Sequence, residues 1–475
     1  MGKRLILVLA LALLVGATFS AAYAEVQNVK VSGDIIASGV LRDHFNLQNG
    51  PAGDKKDLHQ SFFMTQTRVR IDADLTDNVS ATVRLINERV WGNNGQTGDT
   101  TFDNNGRINS NAIDLDLAYV TLKEFLYSPL TLTVGRQEIK FGNGLVIGNS
   151  HSAFSYLPIA NIPSDLSERK AFDAIRATLN YDPLVVDLIY AKAEQPVTFR
   201  NNTVELLGIN ASYAINKKID VSAYYFMKSD NNATLMNSKG KADKVNTIGT
   251  LVSIRPINNL VTSLEAAYQF GKNDRNEIYN PSNASRHNAW AVQAMADYTF
   301  TKLKMTPSIG GSYTYLSGGA NSGKNRNNGW DSMFYDQKLN NITYALLPFS
   351  NLSVFNLKGS IKPMEDVTLM INYGYYDRAS SSSAGREIVS PGTYDAGQGY
   401  IDDGLEHTYD AEYTGNPHLG DAIDATIIYD YTEDVQLGLT AGWFKSGRGI
   451  RTADFGSGSG RRDATQLIGS MKVSF

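Results

Sequence analysis

The segment Gln66-Thr67-Arg68-Val69-Arg70-Ile71-Asp72-Ala73-Asp74-Leu75 alternates without exception. Thr67, Val69, Ile71, Ala73 and Leu75 fall at odd positions, and Gln66, Arg68, Arg70, Asp72 and Asp74 at even ones. Successive side chains of a strand point to opposite faces, so this stretch presents one apolar face and one dense with charge. That combination suits a strand with lipid on one side and an aqueous lumen on the other. The chain then turns at Thr76-Asp77-Asn78 into Ala81, Val83 and Leu85, set against Thr82, Arg84 and Glu88. So short a connection predicts an antiparallel hairpin.

The same alternation extends in both directions. Upstream, Val29, Val31, Gly33, Ile35 and Ala37 oppose Lys30, Asp34 and Arg42. Downstream, strands are expected near 112–122, 130–138, 171–182, 184–194, 204–215, 219–229, 245–254, 260–271, 288–300, 303–316, 352–361, 366–376, 421–431, 434–446 and 464–475. This gives about 18 strands, an even number. Short links at Asp77-Asn78, Asp182-Pro183, Asn216-Lys217-Lys218, Thr301-Lys302 and Glu433 alternate with long polar stretches. The long ones lie near 44–60, 92–110, 139–170, 229–244, 272–287, 317–351, 377–420 and 447–463, rich in Asn, Gly, Ser and Asp. Short turns on one side and long loops on the other are what two sides of a membrane impose. The fold class expected is all-β, a single transmembrane antiparallel up-and-down β-barrel over 25–475. A β-helix or propeller would show a repeat of fixed period, and none is found.

Composition agrees. Lys3 and Arg4 precede an apolar run over 5–15 and the small-residue pattern Ala22-Tyr23-Ala24, which reads as a secretory signal peptide over 1–24. That apolar run is too short for the ~20 residues a membrane-crossing helix needs. With no cysteine in the chain, disulfides, thiolate metal sites and a lipidated thiol are excluded. A formal charge of −4 offers no basic field for nucleic acid. Mean hydropathy of −0.26 is odd for helical spans but natural for a barrel, where only alternate residues touch lipid. Trp290, Tyr298 and Phe300, Tyr373 with Tyr375, and Ile427, Tyr429 and Tyr431 are placed as interfacial girdles would be. The location implied is the bacterial outer membrane, with its lipids and lipopolysaccharide as surroundings and a monomer favoured.

The last strand sends Leu467, Gly469, Met471, Val473 and Phe475 outward and stops at the aromatic residue. Such an ending resembles the signal read by bacterial barrel-assembly machinery, which makes Phe475 an assembly-signal candidate.

Parity also sorts the charges. Lys30, Arg42, Arg68, Arg70, Arg84, Arg176 and Lys358 are expected inward, with Arg136 at the rim. Asp34, Asp72, Asp74, Glu88, Asp114, Asp116, Asp187, Glu265, Asp297, Asp424 and Asp430 are expected inward too. A basic residue facing lipid near the midplane would cost about 2–4 kcal/mol. The basic residues concentrate on the first six strands and form a patch. Two readings stay open: a selectivity surface for anions, or Arg–Asp ladders that merely satisfy a polar interior.

For catalysis the sequence offers little. The six histidines, His44, His59, His151, His287, His407 and His418, fall in expected loops without metal-ligand spacing, so neither a metal nor another cofactor is expected. Gly135 to Gly144 lacks the context of a nucleotide-binding loop. Asp402, Asp403, Glu406, Asp410 and Glu412 have the composition of a calcium loop but read better as a solvated face.

Three segments carry a family resemblance. Val134-Gly135-Arg136-Gln137-Glu138-Ile139, continuing through Phe141-Gly142-Asn143-Gly144-Leu145 to Ile147-Gly148, resembles a signature of the alginate export family. Phe172-Asp173-Ala174-Ile175-Arg176 is similar to that family's following strand. Asp421-Ala422-Ile423-Asp424-Ala425-Thr426, through Val435-Gln436-Leu437 to Ala441-Gly442-Trp443-Phe444, resembles its penultimate hairpin. The resemblance implies an 18-stranded outer-membrane porin that passes an anionic exopolysaccharide outward, with arginines at an electropositive constriction and loops as gates. It points to Arg136 and Arg176 as pore-lining contacts and to Glu138 as the ion-pair partner that positions them. Parity adds Arg68, Arg70, Arg84 and Asp424. The functions in contention are therefore a channel for an anionic polysaccharide or small anionic solutes, a general or cation-preferring porin suggested by the surplus of lumen acids, and a non-conducting structural or adhesive barrel.

Overall fold

β1 (Asn28–Asp43) and β2 (His59–Thr76) run antiparallel in unbroken register, from Asn28 opposite Asp74 to Asp43 opposite His59. This computed structural model describes residues 28–45, 47, 59–91, 113–150, 162–194, 203–230, 243–273, 285–318, 320–321, 326–380, 412–413, 415–451 and 462–475. The segment read as a signal peptide and the acidic residues of 402–410 lie outside them.

The wall continues through β3 (Val79–Val90), β4 (Asp114–Leu122), β5 (Leu130–Gln137), β6 (Phe172–Asn180), β7 (Leu184–Glu194), β8 (Val204–Asn216) and β9 (Ile219–Asp230). It goes on through β10 (Asp243–Ile254), β11 (Leu260–Asn273), β12 (Ser285–Thr299), β13 (Ser308–Leu316) and β14 (Leu352–Met364). It ends with β15 (Val367–Arg378), β16 (His418–Asp430), β17 (Val435–Ser446) and β18 (Ala464–Ser474). Each strand pairs with the next, and β18 returns to β1 from Asp34 opposite Ser474 to Asp43 opposite Thr465. The result is a closed antiparallel barrel of 18 strands. Closure leaves no wall strand with an unpaired edge, the condition for crossing lipid with strands.

Faces follow the alternation. In β1, Val31, Ile35 and Leu41 are exposed on the outer surface, while Ser38 and Arg42 are buried on the inner one. Ile71, Val83, Ile209, Ile248, Leu264, Ile371 and Leu439 continue the outer apolar band. Phe63 stacks on Trp91 and Trp290 on Tyr315 near the long-loop ends. At the short-turn end Phe300, Tyr431 and Phe475 are exposed. These are the interfacial belts of a membrane barrel.

The bounds depart most from those expected at β2 and β13, and three histidines change place. β2 begins at His59, because the apolar run Phe62-Phe63-Met64 hides an alternation in which Met64 is buried and Phe63 exposed. β13 begins only at Ser308, since Met305 and Thr306 take positive φ in the preceding turn and Pro307 follows. His59, His287 and His418 lie in strands rather than in loops. His287 is buried against Asp243 at 2.9 Å, and His418 sits between Asp377 and Asp421.

The hydrophobic core lies inside the barrel. The chain between β5 and β6 supplies Ile139, Phe141, Leu145, Val146 and Ile147. The chain between β13 and β14 supplies Trp330, Met333, Phe334, Tyr335, Ile342, Tyr344 and Phe349. A short helix, α1 (Asn341–Leu346), lies within the second segment. The two segments meet in a parallel bridge between Ile147 and Phe334, extended by hydrogen bonds from Gly148 N to Phe334 O at 2.7 Å and from Asp336 N to Gly144 O at 2.8 Å. Between α1 and the wall, a cavity of about 20 Å³ lined by Tyr335, Tyr344, Phe349 and Tyr376 has room for one water molecule. The segment is thus packed onto the wall rather than hung in an open lumen.

Candidate functional site: the charged lumen

Inward arginines on β2, β3 and β6 meet carboxylates on neighbouring strands and on the infolded segment between β5 and β6. Arg68 forks onto Asp34 at 2.6 and 2.9 Å and reaches Glu168 at 3.1 Å. Arg70 binds Asp72 of its own strand face through Nε at 2.7 Å and Nη2 at 2.8 Å, and lies opposite Arg84 in register. Arg84 donates to Asp116 at 2.5 Å and also to Glu138. Arg42, buried at the long-loop end, grips Asp165 and Gln466 and lies over the Phe45 ring. Arg169 pairs with Glu88 at 3.0 Å and Asp114 at 2.8 Å.

A β-bulge shapes this patch. Arg84 is opposite Leu117 and Leu85 opposite Leu115, so Asp116 is the extra residue and turns inward beside Leu117. A bulge re-aims a side chain in this way, and here it supplies the buried partner of Arg84.

Arg176 differs from these. Its Nε donates to Asp187 at 2.8 Å, and its guanidinium lies over the Phe141 ring at 5.5 Å. Among the described residues Nη1 and Nη2 make no hydrogen bond. Asp187 is itself fixed by Thr178 at 2.6 Å.

Arg136 sits elsewhere. In register it is opposite Ala118 and Asp173, on rows whose neighbours Val134 and Ile175 are exposed to the outside, and it pairs with Asp173 at 3.3 Å. It therefore stands at the long-loop rim on the outer face, away from Arg68, Arg70, Arg84 and Glu138, which form one cluster. The adjoining Gly135 has φ of +124°, and a Cβ there would run into the carbonyl of Ala118, so only glycine fits this step.

Asp424 is 3% exposed and accepts from Asn341 N at 2.7 Å and Ile342 N at 3.4 Å. It anchors the start of α1 to the wall by satisfying amide groups that the helix cannot pair internally.

The infolded segments carry charges that the sequence reading passed over, among them Asp165, Glu168, Arg169, Lys170, Asp331 and Asp336. The run Glu168-Arg169-Lys170, in an otherwise polar stretch, is the signal of these charges in the sequence. Asp336 is clasped by Lys170 at 2.9 Å and Lys140 at 3.1 Å, tying the two segments together. Lys228 of β9 holds Asp331 at 2.5 and 2.6 Å. Burial alone would raise both carboxyls, but the lysines outweigh it and hold them below the ordinary carboxylate value. Burial lowers the Lys338 ammonium, which lies over the Tyr344 ring and donates to the Asp165 carbonyl at 3.2 Å.

This geometry has known relatives in shape. The Pseudomonas aeruginosa structure of OccK9 (OpdG) superposes with a TM-score of 0.53 at 10% identity, covering 95% of this chain and 99% of that one. OpdQ of the same organism superposes at 0.52 with 12% identity, covering 95% and 100%. OccK8 (OprE) does so at 0.52 with 11% identity, covering 95% and 99%. At such identities the likeness is one of fold. No curated protein matches the chain. The profile of one family, described as alginate export, matches residues 40–462. A closed 18-stranded barrel with belted outer face and charged lumen, matched over nearly its whole length, makes this chain an outer-membrane channel protein that belongs to the alginate export family.

Proposed function

We propose that the channel passes anionic solutes, an acidic polysaccharide of the alginate type or small organic anions, along the arginine-bearing face of β2, β3 and β6. The observation that carries this reading is the state of Arg70 and Arg176. Each is held in place by a carboxylate while keeping part of its fork unengaged, and each is about a third exposed, at 37% and 31%. A guanidinium has five N–H donors in a rigid plane that matches a carboxylate, so a fixed arginine with free donors is prepared for a passing carboxylate. Phe141 beneath Arg176 adds a flat apolar surface of the kind that suits a sugar ring beside a charge.

A second reading has its own observation. Arg42, Arg68, Arg84 and Arg169 are matched by buried or half-buried carboxylates, which is how a ladder that only satisfies a polar interior would look. On that reading the channel is a general or cation-preferring porin.

Uptake into proteoliposomes separates the two. Acidic uronate oligosaccharides should enter faster than neutral oligosaccharides of equal length, and Arg70→Gln with Arg176→Gln should remove the difference while leaving neutral uptake unchanged. Equal uptake by the wild-type channel favours the general porin.

A further inference from the structure

Lys244, Lys272 and Arg286 stand side by side on the outer face of the barrel. Lys244 is opposite Lys272 in the β10–β11 register, and Lys272 is opposite Arg286 in the β11–β12 register. All three are exposed, and the alternating neighbours Val245 and His287 are buried inward, at 0% and 5%. Neighbouring strands lie about 4.8 Å apart, so three cations are lined up at strand spacing. Among the described residues none of the three has a carboxylate partner. Like charges directly opposite each other destabilise a sheet. Elsewhere on this rim the matching is different, since Arg136 pairs with Asp173.

The position of the row tells what could balance it. Phe270 lies two residues below Lys272, and Trp290 four below Arg286, both exposed on the same face. At about 3.4 Å per residue, the cations sit within roughly 7–14 Å along the strand beyond the aromatic belt, at the long-loop end. That is the depth of lipid headgroups on the outer surface, where a cation on the lipid face costs little. We propose that Lys244, Lys272 and Arg286 form a binding site for the phosphate groups of an outer-leaflet lipid, with Phe270 and Trp290 against its acyl chains. Phosphate fits because it is a doubly charged acceptor with several oxygens, able to bridge two neighbouring cations at once. The site marks the sector of the barrel wall from β10 to β12 as one that holds a structural lipid.

The test uses the whole barrel in detergent micelles, titrated with bis-phosphorylated lipid A and with the same lipid stripped of phosphate, and read by native mass spectrometry. The phosphorylated form should bind about tenfold or more tightly. Lys244→Gln, Lys272→Gln and Arg286→Gln together should abolish that preference. The charge-conserving set Lys244→Arg, Lys272→Arg and Arg286→Lys should keep it. So should Lys302→Gln, Lys304→Gln and Lys362→Gln, which remove equal charge from exposed residues at the opposite end. Equal binding of both lipids, or an undiminished preference in the first variant, overturns the proposal. Displacement of lipid A by millimolar inorganic phosphate overturns it as well, by assigning the row to the free ion.

Discussion

Arg176 and Asp424 show how charged residues at inward positions take quite different work. Arg176 keeps free donors in the lumen, whereas Asp424 spends its oxygens on the first amides of α1. Asp424→Ala removes a charge-assisted hydrogen bond worth about 1.5–3 kcal/mol. The expected result is an intact barrel whose infolded segment detaches about tenfold or more often, visible as brief steps of higher conductance in single-channel records. Asp331 and Asp336 set the pH range of the same docking. Their lysine partners hold both below the ordinary carboxylate value, so their contribution is complete above about pH 4 and is lost as pH falls through the lowered values. Limited proteolysis should find the segment around Asp331 and Asp336 protected from pH 7 down to about pH 4 and cut below that. Protection unchanged at lower pH would mean that apolar packing alone holds the segment.

At the scale of elements, the infolded segments depend on close approach. A Cβ at Gly148 would collide with the Asp336 side chain, so Gly148→Val should pry the segments apart at the Ile147–Phe334 bridge. Conductance should rise while heat-modifiability on gels, a measure of the closed wall, stays as in the parent. The strands themselves are legible in the sequence because period-two alternation is strict wherever lipid meets one face. The infolded segments are not, because nothing local distinguishes a loop that enters the lumen from one that leaves it. Trp330, Phe334, Tyr335 and Phe349 make the second loop too apolar for solvent, and that composition is the clue the sequence holds for this segment. The bulge at Asp116 is invisible for a related reason, since it takes register with a neighbouring strand to show that one residue is extra. The lumen position of Arg68, Arg70, Arg84 and Arg176 follows from parity, but which of them keep free donors depends on partners far along the chain. For Arg136, parity alone does not reveal the outer-face pairing with Asp173 at the rim.

Across the whole molecule, the last residue completes the wall. Gly33 and Phe475 exchange backbone hydrogen bonds at 2.8 and 3.0 Å, and the absence of a side chain at Gly33 leaves room for the Phe475 ring. If the terminal aromatic also serves as the assembly signal, Phe475→Ala should lower the amount of barrel inserted in the outer membrane while leaving conductance per inserted channel unchanged. Normal insertion would restrict Phe475 to its seat against Gly33. The closed wall of 18 strands, the two infolded segments and the arginine face with free donors are the features on which the proposed anion route rests. Its most direct test is the zero-current potential of the purified channel in a planar bilayer under a salt gradient. The sign should report anion preference in the wild type, and Arg70→Gln with Arg176→Gln should move the potential toward zero. A wild-type potential of the cation-selective sign would contradict the account.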